Sequence, residues 1–456
     1  MSYKILFAAV LGMGILNSCK KENSGGTPPA PPSAADKVKD TTLLFSRDIY
    51  LWYSQIPANF NARSYSDPDK IMTAIRQYSV EPGFPAPVDR WSFALKKAEW
   101  DDVSGGITHD FGMSVFFYAE GDLRVKFVEE ESAAGLAGVR RGWRITKING
   151  NTNITTGNAE FIVQNVFNSP ATDFTFVKPD GSSVDMRLTG VTFQENPIFL
   201  DTIYTVGANK AGYLVFNSFL GDTSAIYNEF QRIFTEFAQA NVTDVIVDLR
   251  YNGGGYVTVQ NRLANYLATN AANGGVMMNQ QYNDKYTMYN STTKFQKLGT
   301  LNLSRVFFIV GSGTASASEL LINNLKPYLD VKLVGAAKTY GKPVGYFPIP
   351  VGDWYIFPVS FRSTNKNGEG SYYTGMTLDR QVADGLNKDW GDRNEASLAS
   401  VLKFLETGAF GLITEEVIGG ASKQGYKQPE VIEGNKTLDV KSFKGMIDQS
   451  VSGLKR

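Results

Sequence analysis

Between Asp244 and Leu249 the chain reads Asp-Val-Ile-Val-Asp-Leu, a short run rich in β-branched apolar residues. Such a run fits a strand buried on both faces rather than one with a wet side. It leads directly into Arg250-Tyr251-Asn252-Gly253-Gly254-Gly255 and then into a helix-like stretch, Val257 to Leu267. A buried strand that ends in glycines and feeds a helix is half of a βαβ unit. The pattern recurs nearby. Gly212–Phe216 and Arg305–Val310 read as strands, and Thr223–Ala240 reads as a helix with Ile226, Phe230, Ile233, Phe234 and Phe237 at helical spacing. Residues 191–405 are therefore expected to form one layered α/β domain.

The flanking regions differ in character. Residues 105–190 carry short strand-like runs at Val115–Tyr118, Leu123–Val128, Ile145–Ile148 and Phe174–Val177, an Asn149-Gly150 turn and a helix at Ala159–Val166. Residues 37–104 look helical and aromatic-rich. Leu43, Leu44, Ile49, Tyr50, Leu51 and Trp52 suggest one helix, and Asp67-Pro68-Asp69 a start for another reaching Tyr78. This part is either a small packing domain or a cap that positions a substrate. Residues 406–456 lose periodicity, and Gly419-Gly420 with a Lys/Gly/Ser-rich end predict a poorly ordered tail.

Residues 1–18 read as a signal peptide: Lys4, then an apolar run from Ile5 to Leu16 that is too short to cross a bilayer. Leu16-Asn17-Ser18-Cys19 resembles a lipobox. That resemblance implies cleavage before Cys19, lipidation of its thiol, and a protein anchored to a membrane rather than spanning it. Residues 19–36, with Gly25, Gly26, Pro28, Pro29, Pro31 and Pro32, read as a flexible tether. Lys20-Lys21-Glu22 after the cysteine points to the outer membrane of a cell envelope.

Composition narrows the chemistry. Lys plus Arg and Asp plus Glu are both 45, and no basic stripe stands out, so nucleic acid is not an expected partner. One cysteine excludes an internal disulfide and a multi-thiolate metal site, and one histidine, His109, excludes an HExxH zinc site. No metal and no cofactor is expected. His109 reads as a turn or surface residue.

Two loops of the α/β domain stand out. Asp248-Leu249-Arg250-Tyr251-Asn252-Gly253-Gly254-Gly255 exposes successive backbone N–H groups, as an anion nest does, or simply turns tightly. Gly313-Thr314-Ala315-Ser316-Ala317-Ser318-Glu319 precedes an apolar helix. Ser316-x-x-Glu319 fits a capping box, in which the hydroxyl accepts from the Glu319 backbone.

Together the loops resemble those of the C-terminal processing peptidases, or tail-specific proteases. That family shows DLRxNxGG, then SASE, then GK. This chain has Asp248-Leu249-Arg250-x-Asn252-x-Gly254-Gly255, Ser316-Ala317-Ser318-Glu319 and Gly341-Lys342. Asp89-Arg90-Trp91-Ser92 is similar to the family's DRxS segment, and Leu333-Val334-Gly335 to the strand before its lysine loop. Residues 105–190 resemble a PDZ domain through Ser132-Ala133-Ala134, Ala137-Gly138-Val139, Gly142 and Ile148-Asn149-Gly150.

The resemblance implies a layered, ClpP/crotonase-like peptidase core preceded by a PDZ domain and a small helical N-terminal domain. It implies Ser316 as nucleophile and Lys342 as its general base, with Ala317 and Gly254 or Gly255 donating to an oxyanion. Phe111-Gly112-Met113 would receive the free C-termini of protein or peptide substrates. Where the family has a glutamine to orient the lysine, this chain has Tyr346, whose hydroxyl is a candidate replacement. The alternative is a catalytically silent, PDZ-containing lipoprotein that only binds peptides.

Overall fold

The computed structural model describes residues 31–411, 433–439, 443–451 and 454. The expected signal peptide, Cys19 and most of the tether lie outside the described residues.

The centre is a six-stranded sheet. Its order is Arg380–Gln381, Asp330–Gly335, Arg305–Val310, Asp244–Asp248, Asn209–Phe216 and Ile198–Val206, with only the last strand antiparallel to its neighbour. Asp244–Asp248 lies inside the sheet, and all five of its residues are buried. Helices Thr223–Gln239, Val257–Leu267 and Ala317–Leu325 cover one face through Phe230, Phe234, Leu263 and Leu321. Helix Ala396–Thr407 covers the other face, where Val401 and Leu402 meet Ile246 and Ile309. A parallel sheet needs both faces covered, because crossover connections place helices on each side.

Residues 113–189 form a separate five-stranded antiparallel sheet: Met113–Ala119, Asp122–Val128, Arg144–Ile148, Ala171–Val177 and Ser183–Thr189, in that order. Helix Ala159–Val166 packs on its apolar face with Ile162, Val163 and Val166. Just outside it, Ile107–Asp110 pairs with Val191–Gln194. His109 lies in this ribbon, exposed, with its Nδ1 2.6 Å from the Thr192 hydroxyl.

Three expectations are corrected. Helix Ala34–Ile49 begins inside the supposed tether, because Ser33 and Asp36 close a capping box around its first turn. The aromatic N-terminal region, mainly helical with one strand, does not stand apart as a separate domain. Phe93–Lys96 pairs with Trp354–Phe357, and Ile49, Trp52 and Trp91 share one apolar cluster with Leu320, Tyr346 and Phe361 of the core. The tail is not uniformly irregular either: Glu433–Leu438 is helical, and Gly445–Ile447 is a buried strand paired in parallel with Gly254–Tyr256.

A buried ionic network locks the five-stranded sheet to the central one. Arg250 reaches Asp248 (2.7 Å), Glu395 (2.8 Å) and Asp384 (2.9 Å), and Arg141, from the other sheet domain, reaches Asp384 at 2.7 Å and the Tyr251 hydroxyl at 2.8 Å. Burial raises the Asp384 pKa, but Arg141 and Arg250 outweigh it and hold the carboxyl at about 2. Asp384→Ala strands the Arg141 charge in the interior, and we expect a loss of about 3–5 kcal/mol in urea unfolding. An unfolded Asp titrates near ~3.9. The Asp384 contribution is therefore fully present above that value and disappears as pH falls towards 2. Acid unfolding of Asp384→Ala should consequently be flatter across this window than that of the wild type.

Candidate active site

Strand Arg305–Val310 ends at the turn that carries Ser316. The turn is laced to the glycine loop: Thr314 Oγ1 donates to Leu249 O (2.7 Å), while Ala315 N and Ser318 Oγ both donate to Asn252 O at 3.0 Å. The lacing holds Ser316 at φ 62°, ψ −108°, a conformation that costs a non-glycine residue roughly 1–3 kcal/mol. Helix Ala317–Leu325 starts at the next residue and is buried along its whole length. Ala317 N–H thus belongs to the first turn, whose amides have no acceptor within the helix.

Glu319 has a larger part than its sequence position suggests. Its carboxylate is buried and accepts four hydrogen bonds. Oε2 takes Ser316 N and Lys342 N, both at 2.8 Å, and Oε1 takes Gly341 N (2.7 Å) and the Thr339 hydroxyl (2.6 Å). One oxygen therefore joins the backbone of the serine turn to that of the lysine loop. Burial raises the Glu319 pKa, and the four donors oppose it. The expected capping box is realised through this carboxylate, whereas Ser316 Oγ has no hydrogen-bond partner among the described residues.

Lys342 Nζ is also buried and, among the described residues, has no hydrogen-bond partner. It stands 3.8 Å from the centroid of the Tyr346 ring. Burial pushes its pKa well below 10.5, against the pull of Asp89 and Glu319. Asp89 is itself a hub, accepting from Tyr50 Oη (2.8 Å), Ser92 Oγ (2.6 Å) and Trp91 N (2.8 Å). Tyr346 does not orient the lysine through its hydroxyl, which donates to Lys444 O at 3.0 Å; it offers its ring face instead.

Gly254 and Gly255 adopt φ 102° and 140°. A Cβ on Gly254 would fall 2.9 Å from Ala317 N and 2.3 Å from Gly445 O, so only glycine fits against the head of the helix. In this state the Gly254 N–H donates to Asn252 Oδ1 (2.9 Å) and is not open to a ligand, contrary to the expected role. Ser316, Ala317, Gly254, Gly255 and Lys342 are thus brought together. Phe111, Gly112 and Met113 lie elsewhere, at the head of the five-stranded sheet, with Phe111 and Met113 in its own apolar cluster. The Gly112 N–H there is taken by Asp110 Oδ1 at 2.6 Å. Cys19 is outside the described residues, among which no group of His, Cys, Asp or Glu could hold a metal ion.

A serine on a strained turn and a lysine on the adjoining loop, both buried and without a hydrogen-bond partner among the described residues, belong to one site, a class of arrangement that can support nucleophilic chemistry. The comparisons narrow the class. Residues 210–381 match Peptidase family S41, so the chain carries a domain of that family. A Staphylococcus aureus protein named "Probable CtpA-like serine protease" is 26% identical over 258 residues, 56% of this chain and 49% of that protein. Its Staphylococcus saprophyticus counterpart is 24% identical over 259 residues, 56% of this chain and 50% of the other. The chain thus spans about half the length of the curated relatives it matches. A crystal structure of a Bacteroides fragilis NCTC 9343 chain, named as an S41 protease, superposes with a TM-score of 0.67 at 22% identity. It covers 81% of this chain and 97% of that one, a likeness of fold.

Sequence reasoning missed Glu319 as the clasp, Asp89 as a charge acting on Lys342, and the strand Gly445–Ile447. The first had a signal, since a glutamate set directly against the apolar run Leu320-Leu321-Ile322 must be paired if that run is buried. Glu319→Gln replaces one acceptor oxygen with an amide donor facing other donors, and each donor left unpaired costs about 1–3 kcal/mol. We expect a lower melting temperature together with slower fluorophosphonate labelling of Ser316. Thr339→Val, which removes one of the four donors to Glu319 and the acceptor of Met376 N, should show a smaller change in labelling.

Proposed function

We propose that this chain is a cell-envelope serine endopeptidase in which Ser316 is the nucleophile and Lys342 the general base. The observation that carries the reading is the pair of buried polar atoms, Ser316 Oγ and Lys342 Nζ, left without hydrogen-bond partners among the described residues. Unpaired buried groups are costly and are tolerated where chemistry uses them. A protein that only bound peptides would gain nothing from either.

Neutral Lys342 takes the Ser316 hydroxyl proton as Oγ attacks the carbonyl carbon of a peptide bond. The developing oxyanion is met by Ala317 N–H at the helix head, and by an N–H of the glycine loop once Gly254 releases Asn252. The protonated lysine then returns its proton to the leaving amine, and water cleaves the acyl-enzyme by the same route. Burial supplies the neutral amine that the first step needs.

The remaining parts of the reading concern selection and location. The five-stranded sheet domain acts as a PDZ domain that takes protein C-termini near Phe111-Gly112-Met113. The strand after that loop lies at the edge of its sheet, and the space between it and helix Ala159–Val166 holds the short helix Glu433–Leu438, a place of the kind a peptide takes, which supports such a role. Cys19 carries the lipid that holds the protein at the outer membrane.

Ser316→Ala and Lys342→Ala should each lower hydrolysis of an unfolded protein by at least ~100-fold, the low end of what a positioned base contributes. Lys342→Arg, which stays charged, should be equally inactive. Wild-type kcat/KM should rise with pH through a value well below 10.5, because acid protonates the base. Proteolysis that survives Ser316→Ala would refute the mechanism. Amidating the C-terminus of a test peptide should weaken its binding, and equal affinity for the two forms would overturn the selection by C-termini.

A further inference from the structure

The chain's own C-terminal segment occupies two places that a peptide would occupy. The first is the free edge of strand Met113–Ala119. Asn435 there imitates a strand partner: its Nδ2 donates to Phe117 O at 2.9 Å and its Oδ1 accepts from Phe117 N at 2.6 Å. The short helix Glu433–Leu438 packs against helix Ala159–Val166, and Leu438 is buried in that domain's apolar cluster. The groove between edge strand and helix is filled.

The second place is the cleft beside Ser316. Strand Gly445–Ile447 lies between the glycine loop and the lysine loop and is held by backbone on both sides. Gly445 N donates to Gly253 O, Tyr346 N to Met446 O and Asp448 N to Tyr346 O, each at 3.0 Å. It runs parallel to Gly254–Tyr256, with Met446 and Ile447 buried. Gly445 O stands over Gly254 on the side where Ala317 N also points. With this strand seated, Ser316 and Lys342 have no exposed surface.

We propose that residues 433–439 and 443–451 are a built-in peptide ligand that closes the site, and that an extended peptide substrate displaces them from both seats. The consequence for catalysis rests on the peptidase reading; the docking itself does not. Recognition through main-chain hydrogen bonds depends little on sequence, so a segment that satisfies these edges stands in for many peptides. Asp439 and Phe443 are only a few residues apart, so one tether links the seats. A substrate end that wins the first seat lowers the local concentration of the strand at the second. Binding of the tail would thereby open the cleft for the chain that carries it.

The test uses the full chain and Asn435→Ala, which touches neither Ser316 nor Lys342. The readouts are fluorophosphonate labelling of Ser316, β-casein cleavage, and hydrogen exchange at the amides of Gly445 and Asp448. We expect labelling and cleavage to rise about tenfold, as loss of roughly 1.4 kcal/mol of docking would give, and both amides to exchange faster. A synthetic peptide copying residues 433–451, added to the variant, should bring the rates back down. Unchanged or slower labelling, with exchange at Gly445 and Asp448 equal to wild type and a native melting curve, would overturn the proposal. If Ser316 labels in neither protein, the peptidase reading fails. Exchange then decides the docking alone: faster in Asn435→Ala supports it, and equal rates refute it.

Discussion

The carboxylate of Glu319 is the contact on which the site's geometry depends. It ties the backbone of the serine turn to that of the lysine loop through a single oxygen. Both loops leave the carboxyl ends of parallel strands, and each would otherwise be free to choose its own path. Charge-assisted bonds to backbone N–H groups are short and strong, and burial strengthens them further. The same carboxylate sets the first turn of the helix behind Ser316. It therefore fixes the strained φ of the serine and the position of Lys342 together.

A second set of buried charges does for the domains what Glu319 does for the loops. Arg250 lies two residues before Asn252, which is laced to the serine turn, and its guanidinium joins Asp248, Asp384 and Glu395. Arg141 enters the network from the five-stranded sheet. One short stretch, Asp248 to Gly255, thus anchors the neighbouring domain at its start and lines the cleft at its end. The three glycines serve close approach: Phe443 presses on Gly253, Ala317 and Gly445 on Gly254, and Phe219 on Gly255. A side chain at 254 or 255 would push these segments apart.

Lys342 shows how composition and burial combine. With one histidine in the chain, exposed and on a peripheral ribbon, an imidazole base is not available at this site. An amine can replace it only where solvation of the ammonium form is withheld. The Tyr346 ring, the closed cluster around Leu320 and Phe361, and the seated strand Gly445–Ile447 all withhold it. The moderating charges are Asp89, from the aromatic N-terminal region, and Glu319. That region is thereby part of the site's electrostatics as well as its packing.

Local pattern was enough to read the main strands and helices, because period and burial are written into runs such as Asp244–Leu249 and Thr223–Gln239. Motif order was enough to name Ser316, Lys342 and the glycine loop as belonging together. Other features have no local signature. Ser316-x-x-Glu319 reads as a cap by itself, and only the approach of Thr339, Gly341 and Lys342 makes the glutamate a clasp. Tyr346 reads as a hydroxyl donor, and the fold turns its ring to the lysine instead. Gly445-Met446-Ile447 is too short to be called a strand until two edges, roughly 100 and 190 residues upstream, supply its hydrogen bonds. Sequence settles what each segment can be, since propensity and pattern are local. The tertiary structure settles which charges, rings and edges meet, since those contacts join residues far apart in the chain.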